Sequence, residues 1–407
     1  MASEEQPNTR RNFISIVANI ITVRCGWIFK TESVVMPAII DALGGSAATR
    51  GWLMVFNRFG QSVPQFLIAH KIAGLSRLKP GFILISLALS LPWAALAILF
   101  PDQRAQTKSF LLIFFVCYAS HWLLMGTVRI FEGSCQGKLI RPDLRGRLMS
   151  TAAFIGGISA VCLAAWLMSD LMGRGRFDLI FWIIFSFFGL SALALLGLKE
   201  EQKPSEEGEQ IRFKDTINIF LNDGEFRKLL AAASLMSFIF MMFPHFVIYG
   251  KERLGFQKTG YASLVIIQNL SMATIAVVIG LVADKKGNRL AYRLVALGPV
   301  SAPCVALILG SQGETGRVLF PCLFALIGAC PVMQRVLVNY ALEMSPGESQ
   351  PQYLATLQLI VILPLMMSPV AGMAIGHFGF EPVFIFCDLC IVLGWLLTLR
   401  IKEPRKV

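Results

Sequence analysis

Charge is scarce in this sequence: 15% of its 407 residues are Asp, Glu, Lys or Arg, against 55% that are hydrophobic. A soluble domain cannot cover an apolar surface of that size with so few charges, whereas a chain that crosses a bilayer exposes it to lipid. Acids are scarcer than bases, 25 against 37, which leaves a formal charge of +12. In a soluble protein that excess would point to nucleic acid. Here the cations fall in alternate stretches between apolar runs, so membrane topology accounts for them and no nucleic-acid partner is expected. The sequence has no P-loop, dinucleotide fingerprint or catalytic triad, which gives no support to an ATP-driven pump or a soluble-type enzyme. Histidines number four and are dispersed, and the nine cysteines sit mostly inside apolar runs, where cysteine behaves as a small hydrophobe. Cys387 and Cys390 have the spacing of a metal or redox pair, yet no second Cys or His cluster accompanies them. No disulfide framework, metal or cofactor is therefore expected.

Long apolar runs are what the chain does have. They fall at 13–38, 51–69, 81–100, 109–131, 148–172, 177–198, 228–249, 261–283, 292–312, 317–341, 353–376 and 380–400. Each is about the ~20 residues that a helix needs to cross the hydrocarbon core. The expected fold is an all-α integral membrane protein with twelve transmembrane helices. The N-terminus is polar and no cleavable signal peptide is evident. The longest polar stretch lies between the sixth and seventh runs, which divides the chain into a six-helix bundle at 1–198, a linker at 199–227 and a second bundle at 228–407. Within the linker, residues 213–221 read as an amphipathic helix on the membrane surface.

The cations test the topology. With both termini in the cytoplasm, 23 Lys and Arg fall in inside segments and 9 in outside loops. That excess predicts a multi-pass protein of the plasma or inner membrane with cytoplasmic termini. The loop at 342–352 carries no cation and is silent.

One turn is distinctive. Gly280-Leu-Val-Ala-Asp284-Lys-Lys-Gly287-Asn-Arg289 is a small charged reversal between the eighth and ninth runs. Gly280 would let the helix end approach its neighbour, Asp284 can accept hydrogen bonds, and Gly287 permits the tight turn. At the end of the fourth run, Arg129-Ile-Phe-Glu132-Gly133 places an arginine and a carboxylate on one helix face, close enough to pair. Both patterns resemble signatures of the major facilitator superfamily of secondary transporters. The resemblance implies two pseudo-symmetric six-helix bundles working by alternating access, and gives Gly280, Asp284, Gly287 and Arg289 the part of a conformational lock on the cytoplasmic side. The matching stretch of the first half, Gln65 to Lys71, departs from the pattern: His70 stands where the family has aspartate, and Gln65 where it has glycine. The fifth run has Gly156 and Gly157 but lacks the proline of drug–proton antiporters. Paired glycines otherwise allow close helix packing.

Ionisable residues inside a span are costly and mark pathways or partners. They are Arg24, Lys30, Arg58, Arg129, Arg335, Glu32, Glu132 and Asp388, with His121 and His245 among the histidines. The resemblance implies that the first, fourth, seventh and tenth helices line a central cavity, and most of these residues map there. Candidate substrate-binding residues are Arg24, Trp27, Lys30, His121, Arg129, His245, Gln334, Arg335 and Asn339. Arg24 lies about eleven residues into its run, near the bilayer midplane at ~1.5 Å per residue, and shares a helix face with Thr31. Glu32 and Glu132 are the candidate proton carriers, because a carboxylate beside a cation in a low-dielectric cavity can change protonation. Permanent structural pairing explains the same residues. Either histidine can carry a proton or serve as a hydrogen-bonded packing residue.

The expectation is a monomeric transporter of a small polar solute, an anion being one candidate, driven by a proton or solute gradient, with symport one form of that coupling. Its partners are then the small-molecule substrate, H+ and the lipid bilayer. A drug or metabolite exporter is the alternative of the same class, and a non-transporting membrane sensor or assembly factor is the alternative of another.

Overall fold

The computed structural model describes residues 8–100, 107–200, 213–346 and 349–404, and these are helical throughout, with no strand among them. Residues 201–212 of the linker, with Lys203 and Arg212, lie outside the described residues. Helix is what a lipid-embedded backbone requires, because no water is present to satisfy its N–H and C=O groups. Among the described residues, eleven helical segments are long and apolar enough to cross a membrane, from Thr9–Lys30 to Phe380–Thr398. The remaining run, the second at 51–69, lies on the 27-residue helix Ala47–Ala73, where Asn57, Arg58, Gln61 and Gln65 dilute its apolar character. The amphipathic segment forms the helix Phe213–Asn222.

Several spans are interrupted, the first and the fifth among them. The first run, read as one stretch over 13–38, is an α-helix at Thr9–Trp27, a 3-10 turn at Ile28–Lys30 and a separate helix at Val35–Ala42. Thr31 is extended (φ −61°, ψ 132°), so the helix face expected to join it to Arg24 does not exist. The break falls where Thr31, Glu32, Ser33 and Val34 follow one another, residues whose short polar or β-branched side chains favour leaving a helix. The fifth span carries a π turn at Ala164–Met168, which packs against the 3-10 turn Ile28–Lys30. Such turns occur preferentially at functional sites.

The chain forms two compact units. The first comprises Met1–Thr31 and Phe56–Gln210, the second Glu32–Val55 and Ile211–Val407. Residues 32–55 thus pack with the second unit while the chain joins them to the first at both ends. In the first unit, helix Lys79–Ile98 packs on Phe177–Ala194 and on Thr107–Leu139, around the buried rings of Trp93, Phe114, Tyr118, Trp122 and Phe181. In the second, helix Gly224–Met236 packs on Phe380–Thr398, and Leu297–Gly310 on Gly313–Ile327. The docked segment is held by backbone approaches that only glycine allows: a Cβ on Gly51 would strike Ser368 and Pro369, and one on Gly372 would strike Ala47 and Ala48.

Each unit closes on a matching strap. In the first, Leu198 is buried, Asn12 exchanges two hydrogen bonds with the Lys199 backbone (2.7 and 2.9 Å), and the Glu200 carboxylate accepts from the Leu78 and Lys79 N–H groups at 2.8–2.9 Å. That satisfies the exposed donors at the start of helix Lys79–Ile98. In the second, Ile401 is buried, Tyr340 Oη donates to the Lys402 carbonyl (3.0 Å), and the Glu403 carboxylate lies against Gly287. Leu198-Lys-Glu and Ile401-Lys-Glu are a short internal repeat.

Candidate functional site

The first unit gathers its charged span residues around tryptophan. Arg24 sits in the last turn of helix Thr9–Trp27, its stem against Gly156, where a Cβ would meet Arg24 Cβ and Ile21 Cα at 3.3 Å. Of the glycine pair read for close packing, Gly156 makes that contact and Gly157 faces open space. The 3-10 turn then carries Lys30 inward. Its side chain is fully buried, with Nζ 4.0 Å from the Trp27 ring centroid and 3.8 Å from that of Trp122. The two indoles meet edge to face at 5.3 Å. A desolvated ammonium on an indole face gains about 2 kcal/mol, which offsets part of the cost of placing it in a span.

Arg129 lies over the same Trp27, Cζ 5.9 Å from the ring centroid. Arg129 Nη1 donates to Glu132 Oε2 at 3.0 Å, as the spacing of three predicts, and Gln136 Nε2 donates to Glu132 Oε1 at 3.3 Å. Arg129 is 45% exposed and Glu132 only 11%, so the cation is the accessible member of the pair. His121 reaches this cluster edge-on through Trp122, with ring centroids 5.7 Å apart. It is fully buried, and Trp93 Nε1 donates to its Nδ1 at 2.8 Å. An indole N–H only donates, so Nδ1 is an acceptor and the proton of the neutral ring is on Nε2. Leu89 O, 3.3 Å from that same nitrogen, is then a contact and not a hydrogen bond.

The second unit holds a different kind of cluster. Asp41, at the end of helix Val35–Ala42, takes Lys251 Nζ at 2.5 Å and Arg50 Nη1 at 3.5 Å. Arg50 is 5% exposed, and Arg50 Nη1 also approaches the Gly45 carbonyl at 3.5 Å. His245 lies on helix Phe238–Leu254, fully buried, with neither ring nitrogen hydrogen-bonded among the described residues. Ser33 Oγ donates to Gln268 Oε1 at 2.7 Å, a second tie between the docked segment and the rest of this unit. Glu32, at the start of that segment, is half-buried. Arg335 and Asn339 lie one turn apart on an exposed face of helix Ala329–Met344, with Gln334 half-buried beside them.

The turn at Gly280–Arg289 forms as a helix end. Helix Tyr261–Lys286 stops at Gly287 (φ 89°, ψ 160°), a conformation closed to other residues, and Asn288–Val295 begins at once. Glu403 lies where a Gly287 side chain would be, with a Cβ 2.8 Å from its Oε1. At Gly280 a Cβ would meet nothing within 4 Å among the described residues, so the close approach expected there is found at Gly287 instead. Asp284 is exposed and Arg289 half-buried.

Sequence reasoning missed Trp122, Trp93, Gln136, Asp41, Lys251 and the two strap glutamates. The repeat Leu-Lys-Glu/Ile-Lys-Glu was a usable signal for Glu200 and Glu403, and a spacing of four from Glu132 for Gln136. The pairing of Asp41 with Lys251, 210 residues apart, has none. Among the described residues no group of three or more His, Cys, Asp or Glu side chains is placed to hold a metal.

Eleven apolar helical segments among the described residues define a multi-pass membrane protein. The chain belongs to the major facilitator superfamily, whose family model matches residues 25–339. It is a membrane transporter of that superfamily and not an enzyme. No curated protein matches it by sequence. Its fold is similar to the crystal structure of a D-xylose–proton symporter (TM-score 0.72, 12% identity, covering 97% of this chain and 99% of that one). It is similar also to a variant of the nucleoside transporter NupG (TM-score 0.69, 11% identity, 96% and 100% covered). A third similar structure is the human organic anion transporter MFSD10 (TM-score 0.60, 14% identity, 97% and 100% covered). At these identities the likeness establishes the fold.

Proposed function

We propose that the chain moves a small anionic solute across the plasma or inner membrane by alternating access, as a monomer with both termini in the cytoplasm. The observation that carries the anion reading is the Lys30–Trp27–Arg129 arrangement, in which two cations share one indole. The first unit carries Arg24, Lys30, Arg58 and Arg129 within its apolar runs, cations that a substrate carboxylate, phosphate or sulfonate would complement. Arg129 and the edge of Trp27 are the groups a solute meets first, since Lys30 lies behind the indoles. Arg24 belongs to the same helix, and we assign it substrate contact too. Arg335, with Gln334 and Asn339, is the corresponding set on the second half.

Glu132 is the proposed proton carrier, because it already shares Arg129 with whatever anion arrives. An anion that takes the arginine leaves the carboxylate to accept a proton, which would make the transport a proton symport. Glu32 is the second candidate. The halves at 1–198 and 228–407, joined by the linker at 199–227, are the bodies proposed to rock, with Asp284 and Arg289 on the cytoplasmic lock. Support by analogy is available from similar structures that include a proton symporter and an organic anion transporter.

The test is a thermal-shift screen of purified protein against carboxylates, phosphates, sulfonates and neutral sugars and nucleosides. Uptake of each stabilising compound into proteoliposomes, with and without an inward proton gradient, follows. Anions that stabilise and are taken up faster with the gradient support the reading. Stabilisation only by neutral or cationic compounds overturns it, and binding without flux of any binder replaces transport with a sensor.

A further inference from the structure

The second unit contains a buried imidazole that substrate handling does not use. His245 is 0% exposed, and neither nitrogen finds a hydrogen bond among the described residues, an unusual state for a buried polar side chain. Helix Val35–Ala42 packs on the helix that carries His245, Lys251 reaches Asp41 there, and the buried Arg50 shares that acid. Arg50 belongs to the segment Glu32–Val55, which packs in this unit although the chain ties it to the other one at Thr31 and Phe56. It is held there loosely for a buried cation: its approach to Asp41 is 3.5 Å, its Nε has no hydrogen-bond partner among the described residues, and Asp41 is engaged more closely by Lys251. Glu252 lies seven residues after His245 and so on the same helix face.

We propose that His245 is a proton-binding site whose protonation releases the docked segment 32–55. With His245 neutral, Arg50 and Lys251 are balanced by Asp41 and Glu252. Lys251 and Glu252 are exposed to solvent, so a proton on His245 sets a second buried cation beside Arg50, and the segment that relieves the repulsion by leaving is the one carrying Arg50. Acid therefore favours undocking, and the docked state is stable at neutral and higher pH. The other titratable groups on elements packed against helix Phe238–Leu254 have their own places. Glu381 pairs with Arg253, and Glu314 pairs with Arg317. Glu225 pairs with Lys228, while Arg227 donates to Leu221 O. Cys387, Asp388 and Cys390 lie six or more residues along from Glu381 on the last helix. Cys304, Cys322 and Tyr353 complete the set, with His377 at the far end of helix Ser368–Phe378.

The proposal needs no particular solute, so it stands or falls apart from the anion reading. Hydrogen–deuterium exchange of the full chain in nanodiscs, corrected for intrinsic exchange, is read on peptides covering 35–55 between about pH 5 and 8, the ordinary range of histidine. Wild type is expected to lose protection on acidification by up to about tenfold per pH unit, the limit for one linked proton. His245→Gln should keep the neutral-pH protection and lose the pH response, and His377→Gln should keep both. A flat wild-type profile, or an undiminished acid response in His245→Gln, overturns the proposal. If His245→Gln does not fold, Arg50→Gln serves instead. Without the opposing cation the acid response should shrink at least about tenfold, and a wild-type response there overturns the proposal equally.

Discussion

The two units bury charge in opposite ways. In the first, Lys30 is boxed by the faces of Trp27 and Trp122, and Arg129 is tied to Glu132 and through it to Gln136. In the second, Asp41 is divided between Lys251 and a distant Arg50, and His245 has no hydrogen bond among the described residues. Indole faces hold a cation without supplying a counter-charge, which in the proposed reading suits the first cluster to an anion. The second is balanced in charge but geometrically slack, and a small change in protonation tips it. One cluster is suited to recognition and the other to switching.

Breaking the second cluster should have the largest effect. Asp41→Asn leaves Lys251 and the buried Arg50 without their shared acid, and a buried pair stripped of one member loses about 3–5 kcal/mol. Since Asp41 is partly accessible, the lower end is expected, read as a fall in melting temperature of detergent-solubilised protein and loss of protection over 35–55. Trp122→Leu attacks the first cluster by removing one wall of the Lys30 box. It should cost about 3 kcal/mol, with Trp122→Phe costing distinctly less because a ring face remains.

Smaller effects sharpen the comparison at the turns. Gly287→Ala is expected to destabilise by about 1–3 kcal/mol, since its backbone conformation is nearly exclusive to glycine. Gly280→Ala, in a helix with open space around it, should stabilise by about 0.5–1 kcal/mol. Smallest is the contrast between the straps: Glu200→Ala removes an acceptor from two helix-start N–H groups and costs about 1 kcal/mol, more than Glu403→Ala. Thermal melts of the four variants check the order.

Most of the fold was legible because a bilayer leaves the chain few choices: run length and hydropathy read out the helical spans. The pair Arg129–Glu132 was legible because spacing along one helix fixes proximity. What was not legible depends on contacts distant in sequence. Nothing local signals that Trp122 faces Lys30 or that Lys251 reaches Asp41. Nor does hydropathy reveal that the first run breaks after Lys30, because Val34 to Ile40 is as apolar as the helix before it. His121 illustrates a limit of another kind: its composition suits a ligand, yet Trp93 occupies its one acceptor.

The assignment of recognition to one cluster and switching to the other is tested most directly by separating KM from kcat in reconstituted uptake of an anion found by the screen. Arg129→Gln should raise KM about tenfold or more, the loss of about 1.4 kcal/mol of binding, while changing kcat less than about twofold. Asp41→Asn should leave KM near wild type and lower kcat at least about tenfold. The reverse pattern, with KM rising in Asp41→Asn and kcat falling in Arg129→Gln, would contradict the account.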